Sequence, residues 1–285
     1  MRFASRLACA AALVLGPLSY AHAQNAGKTL AMDFRTTISI QGMPDTGVIL
    51  GHAVGTADKM RLDVSMKGSN AHVSPLADST VSMIMTDSGK TITYLDSKKS
   101  QFLRVRPAEM VAQAQQSGAM KMEFSGTDAK VDSLGAGPAI LGHPTSHYRV
   151  TTGMTMTISA MGQQQTVKIS SINDTYYATD VKGNLNPFAS LTGADMANVF
   201  GTTNKDFAAK MKTVQEKLPK GTPLRALSSS TMVSQGQTRV SITAAEVTRL
   251  HWIDADPNAF EVPANYTAQQ PPTMGGSSGG AIPPQ

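Results

Sequence analysis

The stretch Val81–Arg106, VSMIMTDSGKTITYLDSKKSQFLRVR, alternates apolar and polar residues between two sets of turn residues. Val81, Met83 and Met85 fall on one face, Asp87-Ser88-Gly89 has turn chemistry, ITYLD follows, and Asp96-Ser97-Lys98-Lys99 leads into QFLRV. A period of two is the signature of a half-buried strand, because successive side chains point to opposite faces of a sheet. The spacing therefore predicts two hairpins in succession, a meander.

Upstream, Leu30, Met32, Phe34, Thr36, Ile38 and Ile40 alternate with Ala31, Asp33, Arg35, Thr37 and Ser39, which predicts a long first strand. QGMPDTG then supplies a turn, Val48–Val54 reads as a second strand, and Met60, Leu62, Val64 and Met66 form the apolar side of a third. Downstream, Pro107 can open a short helix running to Ser117, with Glu109 in its first turn. Further strands are expected at 121–124, 129–134, 147–152, 154–160, 166–172 and 175–179, with GQQQ at 162–165 as a hairpin turn. Phe207, Met211, Val214 and Leu218 recur at helical spacing, with Asn204 as N-cap and Pro219 as stop. A shorter helical piece is expected around Met196, Val199 and Phe200, then strands at 224–233, 238–249 and 260–262. Roughly ten strands with two or three helices and no βαβ alternation predict an α+β fold built on an antiparallel sheet. Each strand has one apolar face, so the sheet must curl or be covered, and the helix at 204–218 is the natural cover.

The N-terminus, MRFASRLACAAALVLGPLSYAHAQ, carries Arg2 and Arg6, an apolar run from Leu7 to Leu18 and the small-residue site Ala21-His22-Ala23. This is the pattern of a secretory signal peptide at 1–23, cleaved after Ala23, and it implies export to the periplasm. The run is shorter than the roughly 20 residues a bilayer span needs. Cleavage would remove Cys9, the single cysteine, so the remaining chain could form no disulfide and would rely on its core. It would keep 23 basic against 20 acidic residues, a charge of about +3, too small to imply a nucleic-acid partner. A single domain is expected over 24–266, followed by a tail at 267–285, rich in Gly, Pro, Ser and Gln, with almost nothing to bury.

Motifs for catalysis are weak. Gly275-Gly-Ser277-Ser-Gly279 matches a nucleophile elbow in letters, but such an elbow works only between a strand and a helix, not in a Gly/Ser tail. His143 and His147 would converge on one metal only on a helix, which Gly142 and Pro144 oppose. Asp33, Asp63, Asp128, Asp132 and Asp180 read as scattered solvated charges, with no general acid or base among them. No cofactor is implied, and a non-enzymatic role is expected.

Met-x-Met occurs at 83–85, 120–122 and 154–156. Residues i and i+2 of a strand share a face about 6.6 Å apart, so two thioethers could reach one Cu(I), which soft sulfur favours. Their companions on those faces are Val81, Phe124, Ile158 and Ala160, and no histidine or cysteine falls in register with them. Adaptable apolar lining is the favoured reading and a methionine-based Cu(I) site the alternative.

Several segments resemble a family of secreted bacterial proteins known as a domain of unknown function. They are DKMRLDV at 58–64, the meander MIMTDSGKTITYLDSKKSQFLRV, ILGHPTSHYRV at 140–150, YYATD at 176–180 and FEVPANY at 260–266. The family in turn is similar to lipoprotein-carrier-like periplasmic folds. That resemblance implies a strongly curved antiparallel sheet, an open half-barrel, with helices on its concave side. It also implies binding of an acyl chain or another hydrophobic partner, without catalysis; a lipid, an acyl chain or an envelope protein is the expected partner. The residues expected to line the groove are Met60, Leu62, Met66, Met83, Met85, Phe124, Met154, Met156, Phe207, Met211 and Val214. A filled core serving envelope assembly is the remaining alternative.

Overall fold

Alternating sequence becomes long strands. A computed structural model of the chain describes residues 28–43, 47–56, 58–67, 80–116, 120–160, 163–182, 185–188 and 204–269. The expected signal peptide, the helical piece at 196–200 and nearly all of the tail lie outside the described residues. The first meander comprises β1 (Lys28–Ile40), β2 (Gly47–Gly55), β3 (Met60–Lys67), β4 (Thr80–Thr86), β5 (Thr91–Asp96) and β6 (Gln101–Val105). Helix α1 (Pro107–Gln116) follows, then β7 (Met120–Ile140), β8 (His143–Ala160) and β9 (Gln163–Ala178). Helix α2 (Lys205–Lys217) precedes β10 (Thr222–Ser234) and β11 (Gln237–Asp254), and β12 (Thr267–Ala268) ends the described chain.

All twelve strands form one sheet in the order β12-β6-β5-β4-β3-β2-β1-β11-β10-β9-β8-β7. Pairing is antiparallel except for the two residues of β12, which run parallel to β6. This corrects the α+β expectation. The protein is mostly β, an open, mostly antiparallel sheet, and the described residues contain two α-helices.

The difference arises where polar or glycine-containing stretches were read as strand ends. The segments expected at 121–124 and 129–134 are one strand, β7, whose register shifts between Ser125 and Asp128, Ser133 and Gly135, and Gly137 and Ile140. Gly126 (φ +56°) and Gly135 (φ +90°) adopt the left-handed backbone there, so they bend β7 and do not end it. Those shifts and Pro138 also blunt an edge that would otherwise invite further pairing. The strands at 147–152 and 154–160 likewise merge into β8, and those at 166–172 and 175–179 into β9. Of residues 260–262, expected as a strand, Phe260 ends a 3-10 turn at Pro257–Phe260 capped by the Asp256 side chain, and Glu261 and Val262 follow it outside any strand.

Chain length forces the sheet to bend. Ten inter-strand steps separate β6 from β7 in the strand order, about 48 Å if flat at ~4.8 Å each. The connection from Arg106 to Ala119 contains the ten residues of α1, about 15 Å of helix, and four further residues, which can add at most roughly 14 Å. The two flanks must therefore approach each other, and α1 packs against β7.

The core lies on one face, called inner here, that bears Leu30, Met32 and Phe34 from β1. The inner side of β2 is Gly47, Ile49, Gly51, Ala53 and Gly55, small residues that leave room for the Phe34 ring; a Cβ at Gly51 would collide with that ring. Phe188 meets Phe34 edge-on at 5.6 Å between ring centroids. Val181, Leu185 and Phe188, from the chain after β9, are fully buried against β1, β10 and β11. On the outer face, Phe260 and Val262 lie across Ile84 and Thr93 of β4 and β5, walling a cavity of about 510 Å³ with Arg104 and Arg106.

Candidate functional site on the inner face

Cross-strand register divides the inner face into rows. At one end lies the first apolar cluster: Met60, Leu62, Met83 and Met85 pack beside Leu30, Met32 and Phe34. Met60 stands directly opposite Met85, and Leu62 opposite Met83. At the other end Met154, Phe207 and Met211 form a second cluster against Phe124, Ala129 and Ile169. Helix α2 supplies Phe207, Met211 and the buried Val214 at helical spacing, and its N-cap Asn204 accepts from Phe207 N–H at 3.0 Å. Lys210 Nζ donates to the carbonyl of Thr127 at 2.6 Å, and Asp206 accepts from the Thr127 hydroxyl, which ties α2 to β7. That hydroxyl and Lys210 hold the Asp206 carboxyl below its usual range.

The expected lining residues therefore divide between two clusters. Met156 is half-buried on β8, opposite Phe124 and Val167, and extends the second. Met66 pairs through its backbone with Ile49, but its side chain lies outside the described residues. Sequence reading missed Val181, Leu185 and Phe188, which fall at i, i+4 and i+7 but share their segment with the helix breakers Gly183 and Pro187.

It also missed the strip between the clusters. One row runs Thr243–Ser228–Asn173 across β11, β10 and β9, and the next runs Ser241–Ser230–Ser171–Thr152 into β8. Thr152 and Ser171 share a hydrogen bond of 2.7 Å, and Asn173 Nδ2 donates to Ser171 Oγ at 3.3 Å. Asn173 is 2% exposed and its Oδ1 has no partner among the described residues; nor has the hydroxyl of Thr36, at 0% exposure on the same face. The signal was present in SSIN (170–173), SSST (228–231) and VSIT (240–243), where serine, threonine and asparagine hold the inward positions.

Beyond this strip, Gln165, Val167, Met232, Ser234 and Arg239 surround a cavity of about 230 Å³. Arg239 has no carboxylate within ion-pair distance among the described residues.

The outer face carries several titratable groups that pair with one another. Arg149 donates to both oxygens of Asp174, at 2.9 and 2.8 Å, and His147 Nε2 lies 3.0 Å from Asp174 Oδ1. Arg149 hydrogen bonding, helped by His147 and opposed by burial, holds the Asp174 carboxyl below its usual range. The His147 ring stacks on Tyr176 at 4.3 Å, and Arg225 bridges Tyr176 and Glu246. Asp33 lies 2.6 Å from His52 Nδ1, Asp63 pairs with Arg61 and Ser82, and His143 lies 2.8 Å from Asp180. His143 and His147 thus face different aspartates. No three of His, Cys, Asp and Glu among the described residues converge as metal ligands would.

No protein-family model matches the chain, and no curated protein matches its sequence.

Proposed function

We propose that the chain is an exported, non-enzymatic carrier that acts in the periplasm and holds a hydrophobic ligand, an acyl chain or the acyl end of a lipoprotein, on the inner face. The observation that carries this reading is the kind of cover that face has. A sheet whose inner rows are only to be filled is ordinarily closed by a second sheet or several helices. Among the described residues, one helix and one irregular segment cover the two ends, each through a handful of apolar side chains. Such elements can part from a sheet at low free-energy cost. Methionines at both ends suit a lining that re-packs around flexible chains.

The 230 Å³ cavity is smaller than the roughly 300–1,000 Å³ of a complete small-molecule pocket, so it would house one end of an amphiphile, with Arg239 beside it for an anionic head. The lipoprotein-carrier-like resemblance of the sequence points the same way.

Titration with a fluorescent fatty acid tests the proposal. Saturable binding displaced by hexadecanoate is expected, with Arg239→Glu weakening hexadecanoate several-fold and leaving the melting temperature unchanged. Absence of saturable uptake would overturn the carrier reading in favour of a filled core serving envelope assembly.

One observation favours a second reading. Met60 and Met85 are direct cross-strand partners and Met83 lies two residues along the same face, which brings three thioethers within reach of one soft ion. Anaerobic Cu(I) titration separates the two: stoichiometric binding abolished by Met83→Leu with Met85→Leu would favour copper, and the carrier reading predicts none.

A further inference from the structure

The polar strip between the apolar clusters narrows the ligand class, an inference that rests on the carrier reading. A groove made only for hydrocarbon has no use for Ser228, Asn173, Ser171 and Thr152 on its floor, since burying a polar group without a partner costs free energy. Two of these groups satisfy one another, Thr152 with Ser171. Asn173 is different. Its amide nitrogen is engaged by Ser171, its Oδ1 has no donor, and it is 2% exposed. A buried acceptor in that state is unfavourable by roughly 1–3 kcal/mol until something donates to it.

The rows through Asn173 and Ser171 contain no charged side chain: Asn173 is flanked by Ser228 and Val150, and Ser171 by Ser230 and Thr152. A cationic or anionic head would be desolvated there without compensation. The group that completes the site must therefore be neutral and must donate. Its place is fixed as well, between the Phe34–Phe188 end and the Met154–Phe207 end, with apolar surface on either side. Thr36, three strands away across the same face, presents a second unpartnered hydroxyl.

The geometry points to a ligand in which a neutral hydrogen-bond donor, a hydroxyl or an amide N–H, lies between apolar segments and donates to Asn173 Oδ1. Simple hydrocarbons and acyl esters lacking a donor would bind by their chains alone.

Three probes of matched acyl chain test this on the intact protein: ethyl hexadecanoate, which has no donor, N-ethylhexadecanamide, which has an N–H, and 1-hexadecanoylglycerol, which has hydroxyls. At least one donor probe is expected to bind about tenfold more tightly than the ethyl ester, the size of one buried hydrogen bond. Whichever donor probe leads identifies the source of the donor. Asn173→Leu, with the same number of side-chain heavy atoms and no acceptor, should erase the difference among the three probes. Equal affinity for all three probes in the wild-type protein overturns the inference without any variant, as does a preference that survives Asn173→Leu. Failure of every probe to bind would overturn the carrier reading itself.

Discussion

Asn173 and Asp174 are chain neighbours with opposite environments, and they fall in the gap between the strands expected at 166–172 and 175–179. In the structure they sit mid-strand in β9, Asn173 facing inward and Asp174 outward into the Arg149 and His147 pair. Alternation alone could not reveal this, because Asn-Asp is ordinarily turn chemistry, and only a cross-strand cation makes an aspartate welcome inside a strand. A carboxyl held low in the folded state adds stability that is present above its unfolded value of 3.8 and is lost as pH falls through its lower folded value. Asp174→Asn should therefore lower stability at pH 7 by about 1–3 kcal/mol, the range for a hydrogen bond to a charged group. The gap between variant and wild type should close below pH 3.8. Urea denaturation at several pH values checks both statements, and a gap independent of pH would contradict them. Gly51→Ala should be costlier than an ordinary strand glycine replacement, because its Cβ would meet the Phe34 ring. The expected loss of about 1–3 kcal/mol would be relieved by Phe34→Leu in a double-mutant cycle.

At the scale of elements, α2 was fully legible. Phe207, Met211 and Val214 at helical spacing, the Asn204 cap and Pro219 gave its bounds to within a residue or so, and those side chains are the buried ones. Truncating Phe207 to Ala should cost about 3–5 kcal/mol if α2 is held in place by its ring. Asn204→Ala should cost about 1 kcal/mol through loss of the cap; thermal melts of the two variants would show that ordering, and its reversal would count against the packing described. The first meander was legible as well, since each of its strands keeps a period of two. The second half was not, because β7, β8 and β9 run through glycines and polar pairs that end strands elsewhere. Gly126 and Gly135 are bulges within β7. The 181–188 segment was illegible for a different reason: Val181, Leu185 and Phe188 have helical spacing, but Gly183 and Pro187 break it, and their burial comes from tertiary contact.

At the scale of the molecule, a sheet with two free flanks should not be uniformly stable. β1 and β11 lie at its centre and are joined along almost their whole length. Hydrogen exchange should be slowest there and fastest in β12, which offers two residues of pairing. The expected ligand-lining residues, read from sequence as one Met-rich surface, prove to be two apolar ends with a hydroxyl strip between. That division was hidden because serine and threonine at inward positions still continue a strand, so the period survived while the chemistry changed. The central claim is that this inner face is occupied by a hydrophobic ligand when the protein is taken from its own compartment. Native mass spectrometry of the protein isolated without detergent from periplasm tests it most directly: the account predicts a recurrent adduct of lipid mass that is lost on denaturation. A single species at the mass of the chain alone, in protein that also fails to take up hexadecanoate, would contradict it.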